Sequence, residues 1–256
     1  MITLLLLKLL LAPALVALAT SAGYRFGPRI TGWIAGFPVV AGPILLLFSL
    51  EQGPRFAAEA AESSLLGVVS LCAFCVMYTQ VARNYSWPVG LISGWICFAG
   101  VTFLIQHVPS FWWSNAIVAL LAIRLSLWLL PRPNSPLLPR TVKASDIPAR
   151  MIATAVLVVT LTAAANGLGS HVSGLLTPFP VVTSIIAVFA QRDQGLPGAV
   201  RTLQGLLTSM SAYTSFCVIL ALTLTRFGIA LSFATALAGN VVLLLLALGW
   251  LRRARK

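Results

Sequence analysis

Residues 37–40 of this chain read Phe-Pro-Val-Val, and the same four residues return at positions 179–182. The match belongs to a longer one, because residues 30–76 align without a gap on residues 172–218, at a constant offset of 142. A Gln-Gly dipeptide is also repeated in this register. Apolar matches between apolar segments are common by chance, whereas proline and polar matches in one register are not. The sequence therefore predicts an internal duplication.

The composition indicates that most of the chain has lipid as its solvent. Of its 256 residues, 59% are hydrophobic and only 9% are charged, whereas a soluble domain carries about 25% charged residues. The mean hydropathy of +0.97 agrees. The net charge is +12, but the basic residues lie between or beside apolar runs and no aromatic residues are interleaved with a basic stripe. This pattern argues against nucleic-acid binding and favours contact with anionic lipid headgroups.

Apolar runs of about 20 residues predict transmembrane helices. The chain contains nine such runs, at about 2–20, 30–50, 64–82, 87–107, 111–130, 148–167, 171–190, 202–224 and 228–251. The duplication groups them into a first repeat of four spans, a connecting span with a proline-rich loop, and a second repeat of four spans with a basic tail. The boundaries of these three parts are 1–109, 110–147 and 148–256. The first span resembles a signal peptide, but Lys8 interrupts it and the second repeat contains its counterpart, which favours a retained span.

Each helix and its repeat-related partner are offset by five spans. Because five is an odd number, the two halves should cross the membrane in opposite directions. The predicted fold class is an all-α polytopic membrane protein with two four-helix inverted repeats, a connecting helix, and a broken second helix in each repeat. Many secondary transporters have this arrangement.

The distribution of basic residues predicts the orientation. With nine spans, one side holds Arg25, Arg29, Arg83, Arg132, Arg140, Lys143, Arg150, Arg192, Arg201, Arg252, Arg253, Arg255 and Lys256. The other side holds only Arg55 and Arg226. The positive-inside rule then places the amino terminus outside and the carboxyl terminus in the cytoplasm.

The second span of each repeat contains a helix-breaking cluster. Phe37 and Pro38 lie in the first, and Phe179 and Pro180 in the second. A proline inside a helix frees a backbone carbonyl group, which in a membrane needs a partner in protein or in a water-lined cavity. Paired breaks of this kind indicate a substrate site near the midplane. The alternative is a packing kink, since proline and glycine are common in membrane helices.

Two pairs of charged residues are related by the repeat. Lys8 pairs with Arg150, and both could attract an anionic substrate, or else extend to the membrane surface. Glu59 pairs with Arg201, which has the opposite charge and could bind the other end of a substrate. Solvated loop charges are the more common case. Tyr213 is a polar candidate inside a span, where such residues more often join helices.

Other chemistry is weakly indicated. Glu51 and Asp193 precede the repeated Gln-Gly dipeptide and are expected to cap the helices that follow. No carboxylate lies in the middle of a span, which argues against the simplest proton antiporter. The sequence contains no nucleotide-binding, nucleophile or metal motif. We therefore expect no enzymatic activity, no cofactor and no metal.

The second half resembles the GlpM-like family of small bacterial inner-membrane proteins. The resemblance rests on residues 172–180, on Gln194-Gly195, and on 199–201 and 211–213, and it covers residues 148–251. It extends more weakly to residues 1–107, where Glu59 replaces Arg201 and Leu71 replaces Tyr213. The resemblance implies a location in the bacterial inner membrane and a duplicated, fused ancestor. It implies no particular chemistry.

The leading hypothesis is a small transporter or permease for an anionic or polar solute or a lipid headgroup. A non-transporting accessory subunit of a cell-envelope polysaccharide or lipid pathway is an alternative, and so is a membrane-embedded enzyme that acts on lipid-linked substrates. The expected partners are membrane lipids and a small-molecule or lipid substrate, with no nucleic acid. A homodimer is compatible with the sequence.

Overall fold

A computed structural model of the protein describes residues 2–35, 38, 41–107, 111–132, 146–164 and 175–253. The all-helical fold predicted from the sequence is confirmed, because these residues contain helices and no strand. The helices in chain order are α1 (Ile2–Phe26), α2 (Pro28–Ala35), α3 (Ala41–Glu51), α4 (Pro54–Val81), α5 (Trp87–Ile105), α6 (Trp112–Leu129), α7 (Asp146–Ala164), α8 (Val181–Phe227) and α9 (Ile229–Arg253).

Four helices in the described part of the chain are long and apolar enough to cross a membrane, namely α4, α5, α6 and α8. The most apolar stretch of α4 is 72% buried inside the protein, whereas those of α5 and α6 are only 17% and 22% buried. An apolar helix that is exposed on most of its surface is expected to face lipid. The helical membrane class therefore fits the structure, and the count of nine spans stays a prediction.

The second predicted span is divided in two. Residues 30–50 form the end of α2 and most of α3, and the single described residue between them, Pro38, is a buried turn residue. In the second half, α8 contains residues 181–190 of the predicted span at 171–190 and all of the span at 202–224. It consists of two helical parts that meet at a kink at Gly195, whose φ of 69° is readily adopted only by glycine.

Several helix boundaries recur at the repeat offset of 142. Gly53, with a φ of 92°, separates α3 from α4, and Gly195 bends α8 at the equivalent position. Helix α5 begins at Trp87 and α9 begins at the equivalent Ile229. These correspondences are local features of the backbone.

Glycine allows the closest contacts between helices. Gly32 of α2 packs against α8, where a Cβ atom on this glycine would lie 2.6 Å from the carbonyl carbon of Thr202. Gly205 of α8 packs in return against the backbone of α2 at Arg29. Gly67 of α4 packs against Leu175 and the ring of Pro178. A helix from the first half therefore contacts the long helix of the second half, and a segment of the second half contacts α4.

Candidate anion-binding site

Arg150 of α7 is the most deeply buried arginine among the described side chains, with 4% of its surface exposed. Its Nη2 atom lies 2.6 Å from Oδ2 of Asp193 on α8, which forms an ion pair. Its Nη1 atom donates a hydrogen bond of 3.4 Å to the hydroxyl oxygen of Thr20 on α1. Three helices that are distant in sequence thus meet at one guanidinium group.

Aromatic rings cover the same guanidinium group. Its central carbon lies 4.5 Å from the centre of the Phe189 ring and 5.8 Å from that of Tyr24. Cations at these distances are attracted by the negative face of an aromatic ring. The rings also exclude water, which strengthens any electrostatic interaction that Arg150 makes.

A small pocket opens beside Arg150, with a cavity volume of about 30 Å³. Its walls come from α1, α2, α7 and α8. The lining residues are Thr20, Gly23, Tyr24, Pro28, Thr31, Arg150, Ile186, Ala190, Asp193, Gln194 and Thr202. Two buried atoms of these residues have no hydrogen-bond partner in the described structure, Nε of Arg150 and Oε1 of Gln194.

The surroundings of the pocket are basic. Asp193 is the only carboxylate among the lining residues, and it is already paired with Arg150. The exposed Arg25, Arg29 and Arg192 are adjacent in sequence to lining residues. The net positive charge favours an anion, and the desolvated Arg150 would bind it most strongly.

Local sequence explains how the pocket forms. Gly27, with a φ of 92°, follows the last residue of α1, and α2 begins at once at Pro28. The bend at Gly195 ends the first part of α8, and Asp193 and Gln194 lie just before it. Proline at the start of a helix and glycine at its end are both favoured. The pocket therefore lies where two helix breaks meet.

The predicted Phe-Pro breaks are packed against neighbouring helices. The Phe179 ring lies 5.0 Å from that of Phe98 and 6.5 Å from that of Trp95, both on α5. Pro180 is buried and immediately precedes α8. Neither residue lines the pocket at Arg150. Pro38 is also buried, and Phe37 lies outside the described residues.

The other predicted site residues are dispersed. Lys8 lies in α1, and its side chain is outside the described part of the structure. Glu59 is exposed on α4 and pairs with Arg55 at 3.3 Å. Arg201 is half-buried on α8, and Tyr213 is 2% exposed within the helical core. Of the predicted residues whose side chains the structure describes, only Arg150 lines the pocket.

Sequence reasoning missed the partners of Arg150. Asp193 was expected to cap a helix, and its ion pair with Arg150 was not predicted. The repeat contained a usable signal, because Lys8 and Glu51 occupy the positions equivalent to Arg150 and Asp193. A base and an acid at the same offset in both halves suggest that they interact. Thr20, Phe189 and Gln194 had no comparable signal.

Comparison of the chain with protein-family models, curated proteins and solved structures finds no match. The resemblance to the GlpM-like family therefore stays a prediction.

Proposed function

We propose that this protein is a small inverted-repeat membrane transporter that binds an anionic solute or lipid headgroup at the Arg150 pocket. The observation that carries the proposal is a guanidinium group, 4% exposed, that lines a small pocket. A buried cation in a membrane protein is costly and usually serves binding or transport. Packing alone would not require the pocket beside it.

Two features of the backbone support oppositely oriented halves. Gly53 and Gly195 both have positive φ and occupy equivalent positions before a long buried helix segment. Contacts are also exchanged between the halves, with α2 against α8 and Leu175 against α4. In inverted-repeat transporters the substrate site lies at the interface between the two repeats.

The charge asymmetry supports a location in the bacterial inner membrane, with the amino terminus in the periplasm and the carboxyl terminus in the cytoplasm. In this orientation Arg25, Arg29, Arg150 and Arg192 all lie on the cytoplasmic side, so the pocket opens to the cytoplasm. The breaks at Pro38 and Pro180 then supply the points at which helix segments tilt to expose the site to the other side.

Transport is tested with purified protein in liposomes, by uptake of radiolabelled phosphate, sulfate and malate. We expect exchange of at least one of these anions and a loss of at least ten-fold in the Arg150→Gln variant. Arg55→Gln is the matched control, because Arg55 is 89% exposed and pairs only with a neighbour on its own helix.

An Arg150→Lys variant separates folding from binding, since it keeps a positive charge for Asp193 but lacks the planar fork of arginine. We expect it to fold and to exchange anions more slowly than the native protein. Uptake of none of the three anions by the folded native protein, or equal uptake by native protein and Arg150→Gln, would overturn the proposal.

A further inference from the structure

Two buried polar atoms beside the pocket have opposite hydrogen-bonding character. Nε of Arg150 is a donor and Oε1 of Gln194 is an acceptor, and neither has a partner among the described residues. Leaving such an atom unpaired is unfavourable. Both residues line the same pocket, which places an unpaired donor and an unpaired acceptor at one site.

Neighbouring polar groups already have hydrogen-bond partners, whereas Nε of Arg150 and Oε1 of Gln194 have none among the described residues. Nη1 and Nη2 of Arg150 are occupied by Thr20 and Asp193. Thr202 donates its hydroxyl proton to the carbonyl oxygen of Gly198 at 3.0 Å. A ligand that satisfies the site must therefore accept a hydrogen bond from a cation and donate one to an amide oxygen.

Resting on the proposed function, we infer that the ligand is a phosphate group bound in a form that carries a hydroxyl, either inorganic phosphate or the monoanion of a phosphate monoester. An unprotonated oxygen of this group accepts from Nε of Arg150, and its P–OH donates to Oε1 of Gln194. Donor and acceptor are on one phosphorus centre, which suits a small pocket. Arg25, Arg29 and Arg192, each next in sequence to a lining residue, add positive charge that favours an anion.

Sulfate is the natural comparison, because it has the same shape and a similar size but no proton at neutral pH. In the pocket it would leave Oε1 of Gln194 unpaired and facing an anionic oxygen. Sites with a buried polar group strongly reject ligands that lack the matching group. The inference therefore predicts a preference for phosphate over sulfate that depends on Gln194.

The test measures equilibrium binding of inorganic phosphate and of sulfate to the purified full-length protein at pH 7. We expect phosphate to bind at least ten-fold more tightly than sulfate. In Gln194→Met this ratio should fall to near one, whereas in Gln52→Met it should be unchanged. Gln52 is the residue of the first half that is equivalent to Gln194, and it is exposed immediately after the end of α3. It therefore serves as a matched control. The native ratio decides the question even if Gln194→Met does not fold.

A second arm distinguishes free phosphate from a lipid phosphate. Nanodiscs that contain phosphatidic acid, a lipid phosphate monoester, are compared with nanodiscs of phosphatidylcholine alone. If phosphatidic acid weakens the binding of soluble phosphate, the lipid headgroup enters the site. If it does not, the site takes the soluble ion. Both results support the inference.

Equal affinity for phosphate and sulfate would overturn the inference and leave the proposed anion transporter standing. Binding of neither anion, in either arm, would overturn both.

Discussion

The contact between α2 and α8 makes a quantitative prediction through Gly32→Ala. A Cβ atom at this position would lie 2.6 Å from the carbonyl carbon of Thr202 and 2.9 Å from the amide nitrogen of Leu206. The carbonyl oxygen of Thr202 would lie closer still, and ordinary van der Waals contact begins at 3.4 Å, so the two helices would have to separate. All of these obstacles are backbone atoms of a helix, which cannot rotate away as a side chain can.

The expected cost follows from two opposing effects. Overpacking of this kind destabilises a protein by about 3 kcal/mol at the upper end of its usual range. Replacing glycine by alanine inside a helix stabilises it by about 1 kcal/mol. The net loss of about 2 kcal/mol corresponds to a decrease in melting temperature of about 4–8 °C for a protein of this size.

The assay is thermal unfolding of the purified protein in detergent, with Gly100→Ala as the matched control. Gly100 lies in α5, and no atom would lie within 4 Å of a Cβ atom added there. This variant should be as stable as the native protein or slightly more stable. Equal melting temperatures for Gly32→Ala and Gly100→Ala would refute the packing of α2 against α8, and with it the wall of the pocket that Pro28 and Thr31 form.

Two further predictions concern charged residues. A double-mutant cycle on Arg150 and Asp193 should give a coupling energy of at least about 2 kcal/mol in unfolding experiments, because removal of one partner leaves a buried charge. The same cycle on the exposed pair Arg55 and Glu59 should give a coupling energy of about 0.5 kcal/mol or less. Equal coupling energies for the two pairs would contradict the burial of Arg150. Arg124 is exposed on the apolar surface of α6, so Arg124→Leu should leave the melting temperature in detergent unchanged or raise it. A decrease of several degrees would instead mean that Arg124 pairs inside the protein.

The features predicted well from the sequence are those with a short-range cause. The break near Pro38 follows from the missing amide hydrogen of proline. The start of α5 at Trp87 was placed correctly because an apolar run follows a polar turn. The bend at Gly195 was not predicted, although it lies at the repeated Gln-Gly dipeptide and separates two helical parts of α8.

The site was harder to predict because its residues are distant in the sequence. Arg150 was identified from its position near a span and from its repeat-related partner Lys8. Its ion pair with Asp193 bridges 43 positions, and no local pattern specifies such a contact. Glu59 and Arg201 were linked by sequence symmetry, and the structure shows an ion pair of Glu59 with Arg55 on its own helix.

The claim of two oppositely oriented halves is tested most directly by the sidedness of two repeat-related residues. Leu50 and Arg192 are equivalent at the offset of 142, and both are exposed. Each is replaced by cysteine in a variant whose native cysteines, Cys72, Cys75, Cys97 and Cys217, are changed to alanine. A membrane-impermeant maleimide is then applied to intact cells and to permeabilised cells. We predict that the Leu50→Cys variant is labelled in intact cells and that the Arg192→Cys variant is labelled only after permeabilisation. Labelling of both from the same side would contradict the inverted arrangement.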